Sequence, residues 1–334
     1  MSLRGRVAVV AGATRGAGRG IATALGEAGA TVYCTGRSSR EGAVDPDRPE
    51  TIEDTAEHVT SAGGTGIAIR VDHTDESAVT QLFERVRTEQ GRLDLLINDI
   101  WGGDALTEWG KSFWEVDVQQ GFTMMERAVH THIITSRHGV PLMLDGDGGL
   151  VVELTDGAFY GYRGQVFYDL CKMSTIRLAY AMSVELANHP ITAVAVTPGF
   201  LRSEAVLDHF GVTEDNWRDA IAKDEHFAES ESPRLVGRVI AALAADPQAG
   251  RFAGQALTCW DMARHYDVVD VDGRQPHWDE HLDAAIDALL EKDSPTPDDL
   301  MLLQIRMSQI DFDDGRSDQR ARIEAYLKKR GAGS

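Results

Sequence analysis

Cysteine is scarce: Cys34, Cys171 and Cys259 are the only three in 334 residues, with no CxxC spacing and no histidine cluster beside them. That excludes a disulfide framework and a cysteine zinc site, and it predicts reduced thiols in a cytoplasmic protein. No apolar run approaches the roughly 18 residues that span a bilayer, and Met1-Ser2-Leu3-Arg4-Gly5-Arg6 has no signal-peptide pattern. Positive charge is also short. Thirty-three Lys and Arg against 53 Asp and Glu give a net charge of -20, which argues against nucleic-acid or anionic-membrane surfaces. An anionic ligand must then be held by local arginines and helix ends, and the acidity itself reads as solubility. Gly/Ser linkers, repeats and low-complexity tracts are absent, so nothing in the composition marks a second independent domain.

What is present is alternation. Arg6–Ala11, Thr31–Thr35, Gly66–Val71, Leu93–Asn98, Gly149–Leu154, Ile191–Thr197 and Ala256–Trp260 are short runs rich in Val, Ile and Leu, and read as strands. Amphipathic runs near Gly16–Gly29, Glu50–Ala62, Glu76–Gln90, Val118–Leu144, Val166–Asn188 and Pro233–Ala245 separate them and read as helices. Continuous apolar strands between helices predict a Rossmann-type α/β fold. It is a doubly wound parallel sheet of about seven strands with helices on both faces and its ligand site at the strands' carboxyl ends. The polar stretch Ser203–Ser232, carrying Phe210, Trp217 and Phe227, reads as a substrate lid. Residues 1–275 form the dinucleotide-binding domain, and 276–334 read as a helical extension wrapping that core or a neighbouring subunit.

Two motifs carry chemistry. The first strand runs into Gly12-Ala13-Thr14-Arg15-Gly16-Ala17-Gly18, a glycine-rich strand-to-helix turn in which backbone can approach a pyrophosphate at a helix N-terminus. Strand two ends in Arg37-Ser38 where an NAD site usually has an acid, so Arg37, with Arg15, suits a 2′-phosphate and points to NADP(H). Further on, Tyr168 and Lys172 stand four apart in a helical stretch and project from one face. An ammonium near a phenol stabilises the phenolate, so Lys172 is expected to lower the Tyr168 pKa into a range where it passes protons.

These motifs, in this order, resemble the short-chain dehydrogenase/reductase family over roughly residues 5–275: the Gly12/Gly16/Gly18 loop, Asp72 after strand three, Asn98 ending strand four, the Tyr168/Lys172 pair, and Pro198-Gly199 after strand six. The stretch Asp270-Val271-Asp272-Gly273-Arg274 and the tail resemble one branch of it. The resemblance implies cofactor contacts at Thr14, Ala17, Asp72, Asn98, Pro198, Gly199 and Ser203 as well as at the loop, with Tyr168 as proton donor to a carbonyl oxygen. It makes Lys172 the group that binds the nicotinamide ribose. It further implies a homodimer or homotetramer built on the helices Val118–Leu144 and Val166–Asn188.

Three positions depart from the family pattern. The hydroxyl that the family places before the tyrosine falls on Thr155 or Asp156; threonine keeps a donor, whereas an ionised aspartate offers only acceptors. No asparagine lies between Asn98 and Asn188, and Ala128 stands where the family's water-anchoring asparagine is expected. Trp101 replaces a small residue after strand four, and with Phe159, Tyr160, Tyr162 and Phe200 it suggests a bulky, partly apolar substrate. His130, His132 and His138 lack the spacing of one metal-binding face and read as packing or subunit contacts, so no metal is expected. The expected activity is NADPH-dependent reduction of a C=O, or the reverse oxidation. Asp156 raises the alternative of an imine reductase, and the altered motifs that of a non-redox NADP-binding protein.

Overall fold

The computed structural model describes residues 2–42, 48–158, 160–310 and 317–330. The strands are β1 (Val7–Ala11), β2 (Thr31–Gly36), β3 (Thr65–Arg70), β4 (Leu95–Asn98), β5 (Gly149–Leu154), β6 (Ile191–Thr197) and β7 (Ala256–Thr258). All neighbours pair parallel, in the order β3-β2-β1-β4-β5-β6-β7. The order reverses between β1 and β4, so the crevice lies beyond Ala11 and Asn98, which are paired in register. The last strand is shorter than the apolar run suggested because Thr258 caps a helix that begins at Cys259.

Helices α1 (Gly16–Glu27), α2 (Ile52–Ser61), α3 (Glu76–Gln90), α4 (Val118–Met125), α5 (Thr131–Leu144), α6 (Val166–Glu185), α7 (Glu204–Phe210), α8 (Pro233–Ala245) and α9 (Cys259–His265) cover the sheet and its ends. Their starts are written in local sequence. Thr51 and Asp54 form a capping box for α2, Asp75 caps α3 before Gly91 ends it in the left-handed region, and Ser232 caps α8 ahead of Pro233. Between α4 and α5 the chain winds wider, as a π-helical turn over Glu126–His130. One core lies between the sheet and α1 and α8, around Val10, Ile21, Leu25, Val236 and Ile240. The other face packs Val9, Phe83, Leu96, Leu142 and Val151.

The 203–232 stretch folds as α7 and two short 3-10 turns over its own cluster of Val212, Trp217, Ala220 and Phe227. Arg202, completely buried, ties it down: its guanidinium meets Glu214 and Asp270 and stacks over Trp217 at 4.3 Å. The tail forms α10 (Trp278–Leu290), α11 (Pro297–Gln309) and α12 (Ser317–Lys329). These helices build an apolar cluster of their own from Ile286, Leu289, Leu303, Ile323 and Leu327. Trp278 joins them to the body by stacking on Phe200 at 5.5 Å. Among the described residues, no helix is long and apolar enough to cross a membrane.

Candidate active site

The glycine loop fits a dinucleotide backbone. Gly12 has φ +93°, and a Cβ there would lie 2.2 Å from the Asp99 carbonyl oxygen; one on Gly18 would lie 2.3 Å from the Gly12 carbonyl. Only glycine lets the turn pass this close to β4 and leave its N–H groups open to an anion. One such N–H is already engaged: Gly16 N donates to Glu204 Oε2 at 2.7 Å, and Arg19 lies 3.7 Å from the same carboxylate. A carboxylate from the first turn of α7 thus stands in for a phosphate at the head of α1. Ser203, which caps α7, lies beside Gly16. Replacing Glu204 by Gln removes the competing charge and is expected to tighten NADPH binding by about two- to fivefold, measured by fluorescence titration.

At the end of β2, Arg37 lies partly buried and Ser38 is buried, while Arg15 lies 3.7 Å from Glu50. Burial works against the Asp72 carboxylate. The Thr74 N–H at 3.0 Å, the Thr74 hydroxyl at 2.7 Å and the nearby Arg37 nonetheless hold its pKa below the ordinary value. Asn98 is fully buried, and its side chain turns inward to Ser136 and Glu153 rather than to the cleft. Next to it, burial pushes the Asp99 carboxyl up to about 7, against the pull of Lys172, the Gly18 N–H and His132. Gly199 packs against Glu231, whose carboxyl burial raises to about 8.

At the substrate end, Gln165 caps α6 by accepting from the Tyr168 N–H at 2.7 Å, which places Tyr168 in the first turn. The alternatives at the end of β5 separate cleanly. The Thr155 hydroxyl donates to the Lys172 carbonyl at 2.9 Å and is buried, whereas Asp156 is exposed and accepts from the Tyr168 hydroxyl at 2.7 Å. Burial, the Asp156 charge and this hydrogen bond push the Tyr168 pKa well above its ordinary value. That is the reverse of the lowering expected from Lys172. The reason is geometric: the lysine Nζ sits 4.1 Å over the Trp101 ring and 5.4 Å from the Tyr168 ring centroid, while a carboxylate oxygen touches the phenol itself.

Among the described residues, Trp101 is the predicted aromatic that meets the pair, edge-on to Tyr168 at 5.4 Å. Tyr160 and Tyr162 are exposed, Phe200 packs with the 203–232 cluster and Trp278, and Phe159 lies outside the described residues. Sequence reasoning missed three contributors. Trp109, from the β4–α4 loop, lies 5.1 Å from Tyr168. Arg163, with its side chain buried, donates to the Asp156 and Gly157 carbonyls and to Asp169, fixing the loop that carries Asp156. The third is a buried His132–Glu153 pair behind Lys172, signalled only by a charge inside the apolar run Val151-Val152-Glu153-Leu154. The three cysteines are free and buried, and no group of His, Cys, Asp or Glu among the described residues could hold a metal.

A short chain dehydrogenase family model matches residues 6–209. Dehydrogenase/reductase SDR family member 1 of Mus musculus is 36% identical over 277 residues, 81% of this chain and 85% of that protein. Among solved structures, a hydroxysteroid dehydrogenase from Escherichia coli superposes with a TM-score of 0.62 at 21% identity, covering 77% of this chain and 96% of its own. A dehydrogenase from Beutenbergia cavernae solved with bound NADP gives 0.61 at 23%, with 77% and 96% covered. With a doubly wound sheet, a glycine cradle open to an anion and a tyrosine–lysine pair at its mouth, the chain belongs to the short-chain dehydrogenase/reductase family.

Proposed function

We propose that this protein is an NADP(H)-dependent oxidoreductase that reduces the C=O of a medium-sized, partly apolar organic molecule, or oxidises the corresponding alcohol. The observation that carries it is the Tyr168 hydroxyl, held at the head of α6 beside Lys172 and facing the open end of β5. The chemistry that the dinucleotide supplies when bound is a hydride. Gly12, Gly16 and Gly18, with Thr14 and Ala17 in the same turn, cradle the pyrophosphate; Arg37, Arg15 and Ser38 bind the 2′-phosphate; Asp72 contacts the adenine. Lys172 binds the ribose and faces the phenol, and Tyr168 gives its proton to the substrate oxygen. Trp101 and Trp109 flank the Tyr168 ring.

A second reading rests on Asp156. In the free protein the phenol donates to a carboxylate that can only accept, and the Thr155 hydroxyl is spent on the Lys172 carbonyl. A fixed anion at that point repels a developing alkoxide and favours a cationic iminium, so imine reduction is the alternative substrate class. NADPH absorbance followed with matched aromatic ketones and cyclic imines tests both. Turnover of either class is expected, with NADPH bound at least about tenfold tighter than NADH through Arg37. No turnover of either class would overturn the reading, and equal dissociation constants would overturn the cofactor choice.

Apolar side chains stand exposed on the helices flanking the site: Phe122 on α4, Ile133 on α5, and Leu170, Tyr180 and Val184 on α6. They support assembly as a homodimer or homotetramer through these faces.

A further inference from the structure

Glu153 and His132 form a buried titratable pair that the reaction above does not use. Glu153 has no exposure at all and His132 has 2%. A carboxylate taken out of water costs several kcal/mol unless its acceptors are filled. Here His132 Nδ1 meets Oε2 at 2.5 Å, while Asn98 Nδ2 at 2.8 Å and Ser136 Oγ at 3.4 Å meet Oε1. On the far side of the ring, His132 Nε2 meets the Ile100 carbonyl at 3.0 Å. Both ring nitrogens therefore face oxygen acceptors, and the pair carries two protons, one on Nε2 and one shared between Nδ1 and Oε2. Tying β4, β5 and α5 together requires no ionisable pair, since an amide in place of Glu153 would serve.

The same imidazole lines a cavity with Lys172, Ile100, Trp101, Ala128 and Thr175. Its volume of about 10 Å³ has room for a single water. Lys172, His132 and Cys171 are the charged and titratable groups on its wall, and burial pushes the Cys171 thiol up to about 11; the Ile100 carbonyl and Thr175 hydroxyl offer the water further partners. Ala128 leaves the space open and lies in the π-wound turn, a feature common at functional sites. Two further titratable groups feel the imidazole electrostatically. Burial raises Asp99 to about 7 against the pull of Lys172 and His132, and His73 is held to about 3 by burial first and then by His132. His73 thus stays neutral between Thr35 and Thr135 and stores no proton at neutral pH.

We propose that the His132–Glu153 pair is the proton store that recharges Tyr168 through Lys172, a role that rests on the oxidoreductase reading. The Tyr168 O–H bond breaks as its proton bonds to the reduced substrate atom, and Lys172 Nζ passes a proton to the resulting phenolate. The cavity water gives a proton to the lysine amine and takes the Nε2 proton of His132 as that proton leaves the Ile100 carbonyl, while Glu153 holds the proton on Nδ1. Solvent then returns one proton to Nε2, so one proton enters the protein for each one delivered to substrate.

The test uses the full-length protein with Glu153→Gln and His132→Asn. Both are expected to bind NADPH as the wild type does and to melt cooperatively. For the better of the ketone and imine substrates, kcat should fall about tenfold or more with a larger solvent deuterium isotope effect. Wild-type kcat and isotope effect in two folded, NADPH-binding variants would overturn the proposal. A second arm is independent of turnover. In the cofactor-free protein, NMR should show the His132 Nε2 proton exchanging with solvent several-fold more slowly in Lys172→Met than in wild type, and an unchanged exchange rate would overturn the relay. If wild type turns over neither substrate class, the oxidoreductase reading has failed, and the exchange arm alone decides whether His132 and Lys172 share a proton path. The exchange arm also decides if Glu153→Gln or His132→Asn does not fold.

Discussion

Tyr168→Phe is expected to lower kcat/KM by about 10²–10⁴-fold while leaving NADPH affinity within about twofold, because it removes a positioned general acid and nothing that the dinucleotide phosphates touch. The substitution deletes one hydroxyl whose partner is the exposed Asp156 carboxylate. The packing partners of the ring, Trp101 at 5.4 Å and Trp109 at 5.1 Å, are kept, so the variant should fold. Steady-state NADPH oxidation together with a fluorescence titration separates the two effects. Turnover close to wild type would remove Tyr168 from the proton-donor role, and lost NADPH binding would mean that the ring shapes the cofactor site instead.

Asp156→Ser is the second large effect, and its sign follows from the charge. The Asp156 carboxylate and its hydrogen bond both raise the Tyr168 pKa. Without them the phenol ionises more readily, and a hydroxyl donor replaces an acceptor beside the substrate atom. Alcohol oxidation needs the phenolate as base, so the rising limb of its pH profile should move to lower pH. The ratio of ketone to imine reduction should rise about tenfold or more, since a donor aimed at a developing oxyanion is commonly worth at least that much. Matched kcat/KM values across a pH series measure both. A profile that does not move would mean that Asp156 turns away from the phenol in the working complex, and an unchanged ratio would remove the iminium reading.

Both predictions turn on a register that the sequence leaves open. Thr155 and Asp156 are adjacent at the end of β5, and successive side chains of an extended chain point to opposite sides. One of the two had to face α6 and the other the cleft, and local sequence is compatible with either. The decision comes from packing: Thr155 finds the Lys172 carbonyl, and Arg163 fixes the loop through the Asp156 and Gly157 carbonyls. The aromatic neighbours of Tyr168 are set by packing for a related reason. Tyr160 and Tyr162 lie near Tyr168 in sequence but project to solvent, while Trp109 reaches the ring from a loop 59 positions earlier.

The sequence by itself determined the alternation of apolar strands and amphipathic helices, hence the doubly wound sheet, because strand and helix periodicity and helix caps are local properties of the chain. It also determined the glycine turn at β1 and the four-residue spacing of Tyr168 and Lys172, since each is set within one turn or one helix. Only the tertiary structure decided which charges meet. It brought Glu204 to Gly16 from 188 positions away, His132 to Glu153 from 21, and Asp156 rather than Thr155 to the phenol. Those encounters fix the electrostatics of the site, and they depend on how whole elements pack, a choice that no local stretch of residues encodes.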